Sequence, residues 1–77
     1  MKFKLRQLEA FRAVAETGSM TRAAQKLEIS QPAVSRLLSD FSNSVGFDLF
    51  QRRQGILGPT SDSRYLLAEV TRIIDNL

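Results

Sequence analysis

The chain has 77 residues, of which 43% are hydrophobic and 25% charged, and it contains neither Cys nor His. This length allows one small domain, and the composition is typical of a soluble globular protein, neither disordered nor membrane-spanning. Without Cys or His, disulfides and the usual zinc site are excluded and the commonest general base is missing, so we predict no metal, no cofactor and no enzymatic activity.

The formal net charge of +3 at pH 7 is a mild basic excess, which suits a polyanion partner without proving one. No apolar run approaches the roughly 18 to 20 residues that a bilayer requires. The N-terminal residues lead into an amphipathic segment and lack the apolar core of a signal peptide. We therefore expect a cytoplasmic protein that has no contact with a membrane.

Two short helices are predicted first. Apolar residues recur at helical spacing over residues 5–15, and Gly18 supplies a C-terminal stop. Ser19 can cap a second helix that ends near Leu27. This second helix contains the pair Ala23-Ala24, whose small side chains allow another helix to pack closely against it.

A third helix is predicted after a tight turn. The segment Glu28-Ile29-Ser30 is short enough for the turn of about three or four residues found in a helix-turn-helix. Ser30 is a good N-cap, Pro32 fits only the first turn, and apolar residues form an inward stripe until Gly46 closes the helix. The first two turns carry a set of small or polar side chains: Gln31, Pro32, Ala33, Ser35 and Arg36.

A hairpin and a last helix complete the pattern. Alternating apolar and polar residues from Phe47 to Arg52 predict a short strand. The segment from Arg53 to Pro59 holds two glycines and a proline around an apolar pair, which predicts a hairpin, or wing, with a weak return strand. Thr60 or Ser61 can cap a final helix that runs to the end of the chain.

The last helix carries an apolar stripe that is unusual for a terminal helix. Such a stripe needs a cover, and so short a chain offers little of one. We predict that a second copy of the chain covers it, which makes the protein a homodimer. The predicted dimerisation residues are Leu66, Leu67, Val70, Ile73, Ile74 and Leu77.

Three short helices, a tight turn and a basic hairpin favour double-stranded DNA as the partner. A helix fits the major groove, where Arg can bond bidentately to guanine, Gln can bond to adenine, and small apolar groups can contact the thymine methyl. Helix N-termini can also hold phosphates, here assisted by Thr21, Arg22 and Ser30. The predicted base-contacting residues are Gln31, Pro32, Ala33, Ser35 and Arg36.

Other interpretations stay open from the residues alone. Arg36 could be a solvated surface charge, and Gln31 and Ser35 could serve only as capping or solvent-facing residues. A winged-helix fold can also be a protein–protein interaction module, with the last helix as its docking surface. In that case random DNA would not compete with the partner protein.

The chain resembles the N-terminal signature of LysR-type transcriptional regulators in an ordered set of motifs: Thr21-Arg22-Ala23-Ala24, Leu27, Ser30-Gln31-Pro32-Ala33-Val34-Ser35-Arg36, Gly46 and Leu49-Phe50-Gln51-Arg52. The resemblance covers nearly all of the chain. It implies a mainly α winged helix-turn-helix DNA-binding domain over residues 1–59 and a linker helix over residues 60–77 that pairs two subunits. It also implies a nucleoid-associated bacterial regulator that reads paired half-sites. A small-molecule effector would act only through a C-terminal domain of periplasmic-binding-protein type that lies outside this chain.

The resemblance also assigns roles to matching residues. It places residues 31–36 in the major groove, Thr21-Arg22 against phosphates, and Arg52-Arg53 at the wing. The two wing arginines could instead pair with acids such as Asp48 or Asp62.

The chain departs from the family pattern at several positions. Ser39-Asp40 stands where many members carry basic residues on the third helix, so we do not expect direct DNA contact from that half of the helix. Ser61 stands where proline is frequent and Ser63 where glycine is frequent. We therefore expect a slightly different entry into the linker helix.

Overall fold

The computed structural model describes residues 3–77, and Met1 and Lys2 lie outside the described residues. Over this range the chain forms four helices and one antiparallel hairpin, which confirms the predicted winged helix-turn-helix with a following helix. None of the helices within residues 3–77 has the length and apolarity needed to cross a membrane. The elements in chain order are α1 (Leu5–Thr17), α2 (Met20–Leu27), α3 (Gln31–Val45), β1 (Phe50–Arg53), β2 (Ile56–Pro59) and α4 (Ser61–Asp75).

Side-chain hydroxyls define where three of these helices begin. Ser19, Ser30 and Thr60 each accept a hydrogen bond from the backbone N–H three residues further on, at 3.1, 3.2 and 3.2 Å. Each bond satisfies one of the donors that the first helical turn leaves without a partner. Gly18 and Gly46 end α1 and α3 with φ values of 67° and 86°, a conformation that suits glycine. The predicted starts of α2, α3 and α4 and the predicted ends of α1 and α3 are thus confirmed.

Strand β1 is shorter than predicted and begins at Phe50 instead of Phe47. The preceding backbone pairs with the start of α4 and not with another strand. The Leu49 carbonyl oxygen accepts from the Ser63 hydroxyl at 2.7 Å and from the Thr60 N–H at 3.2 Å. The apolar and polar alternation before β1 therefore reflects a loop anchored by its apolar side chains. The Ser63 hydroxyl therefore helps to hold this loop.

The hydrophobic core lies between α1, α2 and α3 and is closed by the hairpin and α4. Phe11 and Phe41 are fully buried, with ring centroids 5.6 Å apart in an edge-to-face arrangement, and Phe50 lies 5.4 Å from Phe11. Ala23 and Ala24 are buried between the helices, as their small size predicts. Because these contacts hold the inner side of α3, its opposite side faces outward.

Helix α4 packs against α1 and shares this core. Val70 is only 1% exposed, and the Arg12 guanidinium of α1 pairs with the Asp75 carboxylate at 2.8 Å near the end of α4. The expectation that the chain offers little cover for the α4 stripe is therefore wrong for part of that stripe, because α1 covers it. The helix itself ends at Asp75, two residues before the end of the chain.

Candidate nucleic-acid interface

The side of α3 that faces away from the core is a continuous exposed surface. Val34, Leu38 and Phe41 are buried at helical spacing, so the residues between them turn outward. Of the five predicted base-contacting residues, four are exposed and Ala33 is half-buried. We call this surface the outer face of α3, and its residues are Gln31, Pro32, Ser35, Arg36, Ser39, Asp40 and Asn43.

Arg36 and Asp40 form an ion pair on the outer face of α3. The distance between Arg36 Nε and Asp40 Oδ2 is 3.6 Å, and the side chains are 82% and 52% exposed. The two residues are one helical turn apart, which is the spacing at which side chains on a helix surface meet. Arg36 is therefore a surface charge with a specific partner.

A polar cleft, here called the central cleft, joins the starts of α2 and α3 to the hairpin. It has a volume of about 220 Å³ and brings together Thr21, Gln31 and Arg52, which the sequence separates by up to 31 positions. The Leu57 N–H donates to the Gly18 carbonyl oxygen at 3.3 Å and so holds the hairpin at one end of the cleft. The lining residues are Gly18, Ser19, Met20, Thr21, Gln31, Arg52, Gly55 and Leu57.

The two wing arginines lie on opposite faces of the hairpin, because neighbouring side chains on a strand alternate. Arg52 lines the central cleft, and its Nη1 donates to the Gly55 carbonyl oxygen at 3.0 Å. Arg53 lines a groove of about 160 Å³ on the other face, here called the outer groove, together with Arg64 from α4. Sequence reasoning missed Arg64, since its closeness to Arg53 depends on how α4 packs beneath the hairpin.

Arginines without a carboxylate partner concentrate on this side of the molecule. Elsewhere, Arg12, Lys26 and Arg72 each pair with an acidic residue. Within residues 3–77, by contrast, no carboxylate lies at ion-pair distance from four arginines, and the alternative pairing of the wing arginines with Asp48 or Asp62 is not formed. These four arginines lie at the starts of α2 and α4 and on the hairpin: Arg22, Arg52, Arg53 and Arg64.

The remaining predicted phosphate contacts lie at the helix starts. Arg22 is exposed on the first turn of α2, and Ser30 is exposed at the N-cap of α3, where its hydroxyl accepts from the Ala33 N–H. Neither residue lines the central cleft. In the described part of the chain, no three acidic residues gather where they could hold a metal ion.

The predicted dimerisation residues on α4 differ in exposure. Val70 already has its cover inside the chain, so it has almost no surface left for a partner. Ile73 and Leu77 are 48% and 81% exposed. Three others pack against the core while staying half-buried: Leu66, Leu67 and Ile74. The dimer stays a prediction. Its predicted interface is now restricted to the residues that keep exposed apolar surface.

The fold and this surface define a winged helix-turn-helix domain. Residues 5–64 match the family model of the bacterial regulatory helix-turn-helix proteins of the lysR family. The chain belongs to this family.

Several curated relatives have similar sequences. The chain is 51% identical over 67 residues to the regulatory protein NocR of Agrobacterium fabrum, covering 87% of this chain and 22% of NocR. It is 47% identical over 68 residues to the transcriptional activator protein LysR of Escherichia coli, covering 88% of this chain and 22% of that protein. The chain thus spans about a fifth of the length of these relatives.

Solved DNA-binding domains share the fold over nearly the whole chain. The BenM DNA-binding domain, crystallised with its benA site 1 DNA, superposes with a TM-score of 0.90 at 31% identity, over 96% of this chain and 83% of that chain. The CbnR DNA-binding domain, also solved as a DNA complex, gives a TM-score of 0.87 at 33% identity, over 95% of this chain and 84% of that chain.

Proposed function

We propose that this chain is the sequence-specific DNA-binding domain of a bacterial transcriptional regulator and has no enzymatic activity. It acts in the cytoplasm, on the nucleoid, and binds paired half-sites as a homodimer. The observation that carries the proposal is the outer face of α3, which is exposed, polar and flanked by the central cleft. The DNA complexes of the similar BenM and CbnR domains support it.

The outer face of α3 reads base edges in the major groove. Arg36 donates two hydrogen bonds to guanine, and Gln31 bonds to adenine or supports the adjoining contacts. Pro32, Ala33 and Ser35 are small enough to let the helix approach the bases, and the first two offer apolar contact to thymine methyl groups. Sequence preference therefore resides in the first two turns of this helix.

Phosphate contacts set the orientation of the domain on the duplex. The backbone N–H groups at the starts of α2 and α3 point toward the DNA, with Thr21, Arg22 and Ser30 beside them. Arg52 in the central cleft and Arg53 on the other face of the hairpin reach different parts of the DNA backbone. These contacts favour any sequence equally and make binding dependent on salt.

Homodimerisation through α4 and control by a small-molecule effector complete the proposal. The exposed Ile73 and Leu77 provide apolar surface for a second copy. The effector acts through a further domain outside this chain. Two copies joined in this way present two α3 helices to two half-sites.

Selection from a random pool of DNA duplexes tests the proposal. The 77-residue chain should enrich a short motif, and fluorescence anisotropy should show tighter binding to the selected duplex than to a scrambled one of the same composition. Arg36→Ala should weaken binding to the selected duplex by about 1–3 kcal/mol. It should weaken binding to the scrambled duplex far less. Failure to enrich any motif would refute sequence-specific binding.

Arg6→Ala is the matched control, because Arg6 is also an exposed helical arginine paired with an acid, Glu9 at 3.9 Å, and its loss changes the net charge equally. It should leave the preference for the selected duplex intact. If Arg36→Ala weakened both duplexes equally, Arg36 would be a phosphate contact and not a base contact.

A further inference from the structure

The ion pair on the outer face of α3 has a geometry that bears on base reading. Asp40 approaches Arg36 from the Nε side of the guanidinium, at 3.6 Å. Among the described residues, the Arg36 side chain donates no hydrogen bond to a protein acceptor, so both terminal amino groups keep their donors. A bidentate contact to guanine O6 and N7 uses two such donors side by side.

Asp40 also places a negative charge on the surface that faces the DNA. It lies one turn beyond Arg36, with its side chain 52% exposed. A carboxylate there repels phosphates whatever the base sequence, and it competes with phosphates for the Arg36 guanidinium. An arginine without this carboxylate partner would be as free to pair with a DNA phosphate as with a base.

We propose that Asp40 is a positioning residue that determines specificity: its ion pair at the Nε edge of Arg36 favours the orientation in which the terminal amino groups are presented to guanine, and its negative charge lowers the sequence-independent affinity for DNA. This inference rests on the proposed function. It gives the one acidic residue of α3 a role in discrimination between sequences, separate from affinity. The ion pair strengthens binding to cognate DNA alone, whereas the repulsion weakens binding to cognate and non-cognate DNA alike.

The substitution Asp40→Asn in the whole chain tests the proposal by anisotropy on the selected and scrambled duplexes. Loss of repulsion should strengthen binding to both duplexes about twofold, and loss of the ion pair should weaken binding to the selected duplex alone about fourfold, so that the net affinity for the selected duplex falls about twofold. The ratio of the two affinities should therefore fall about fourfold. Asp40→Glu, which keeps the carboxylate, should restore most of that ratio.

Asp48→Asn is the matched control, since Asp48 is exposed, lies in the loop before β1, and its loss raises the net charge by the same unit. This substitution should change the affinity for both duplexes by the same factor. In an Arg36→Ala background, Asp40→Asn should no longer weaken binding to the selected duplex, because the side chain it positions is gone.

Several outcomes would overturn the proposal. If Asp40→Asn strengthened binding to both duplexes equally, Asp40 would act only as a general negative charge. If it weakened binding to both equally and altered the circular dichroism spectrum, the role of Asp40 would be only structural. A wild-type chain that did not distinguish the duplexes would refute the proposed function itself. A chain that distinguished them, with Asp40→Asn leaving the ratio unchanged, would refute this inference alone.

Discussion

Helices α3 and α4 are built alike but present different chemistry to the outside. Each has 15 residues and begins after a hydroxyl side chain that accepts from the backbone N–H of the third helical residue. Each also buries one side in the same core. The exposed side of α3 carries small polar residues and one ion pair, whereas α4 exposes Tyr65 and Ile73, and Leu77 is exposed just after its end.

This difference shows that the outer side chains, and not the helix or its cap, select the partner. Small polar residues let α3 enter a groove and exchange hydrogen bonds with base edges. Burial of the exposed aliphatic residues of α4 against a second apolar surface is favourable, because it removes them from water. The same local structure thus serves DNA in one place and a second protein chain in the other.

The largest expected effect is on stability and comes from the buried side that each of the two helices has. Phe41 of α3 is fully buried against Phe11. Phe41→Ala should lower the free energy of unfolding by about 3–5 kcal/mol, because it opens a cavity in a small core. Urea denaturation measures this loss. Asn43→Ala, on the outer face of α3, is the control and should change stability little, and a similar loss in both variants would contradict the two-sided description of α3.

A smaller effect is expected on the exposed side of α4. Ile73→Asp should weaken self-association about tenfold while the monomer stays folded, because it places a charge in an apolar contact. Sedimentation equilibrium over a range of concentrations measures the association constant.

Ala68→Asp is the control for this substitution, since Ala68 is exposed and lies on the opposite side of α4 from the core-facing Val70. It should leave association unchanged. Equal association constants for Ile73→Asp and the wild type would remove α4 from the dimer interface.

The smallest effect, about 1 kcal/mol, is the difference in stability between variants of the two caps. Ser30→Ala should destabilise the chain by about 1 kcal/mol through loss of its N-cap hydrogen bond. Thr60→Ala should destabilise it by about 2 kcal/mol, because the Thr60 hydroxyl also donates to the Asp48 carbonyl oxygen at 2.6 Å. Thermal unfolding followed by circular dichroism ranks the two variants. The reverse order would show that the bond to Asp48 adds no stability.

Local signals in the sequence predicted most of the fold and the principal surface. Ser30, Pro32 and Gly46 define α3, and the helical period of its apolar residues then decides that Gln31 and Arg36 face outward. Caps, turns and periodicity depend on residues a few positions apart, so they can be read without knowing the rest of the fold.

Contacts between distant segments could not be read in this way. The amino-acid sequence by itself determined where α2, α3 and α4 begin, where α1 and α3 end, and which side chains of α3 point outward. Only the tertiary structure decided that Arg52 and Arg53 serve different clefts, that Arg64 joins one of them, and that Val70 is covered by α1. Those outcomes depend on how helices and strands that are distant in the sequence pack against one another, and that packing is a property of the whole core.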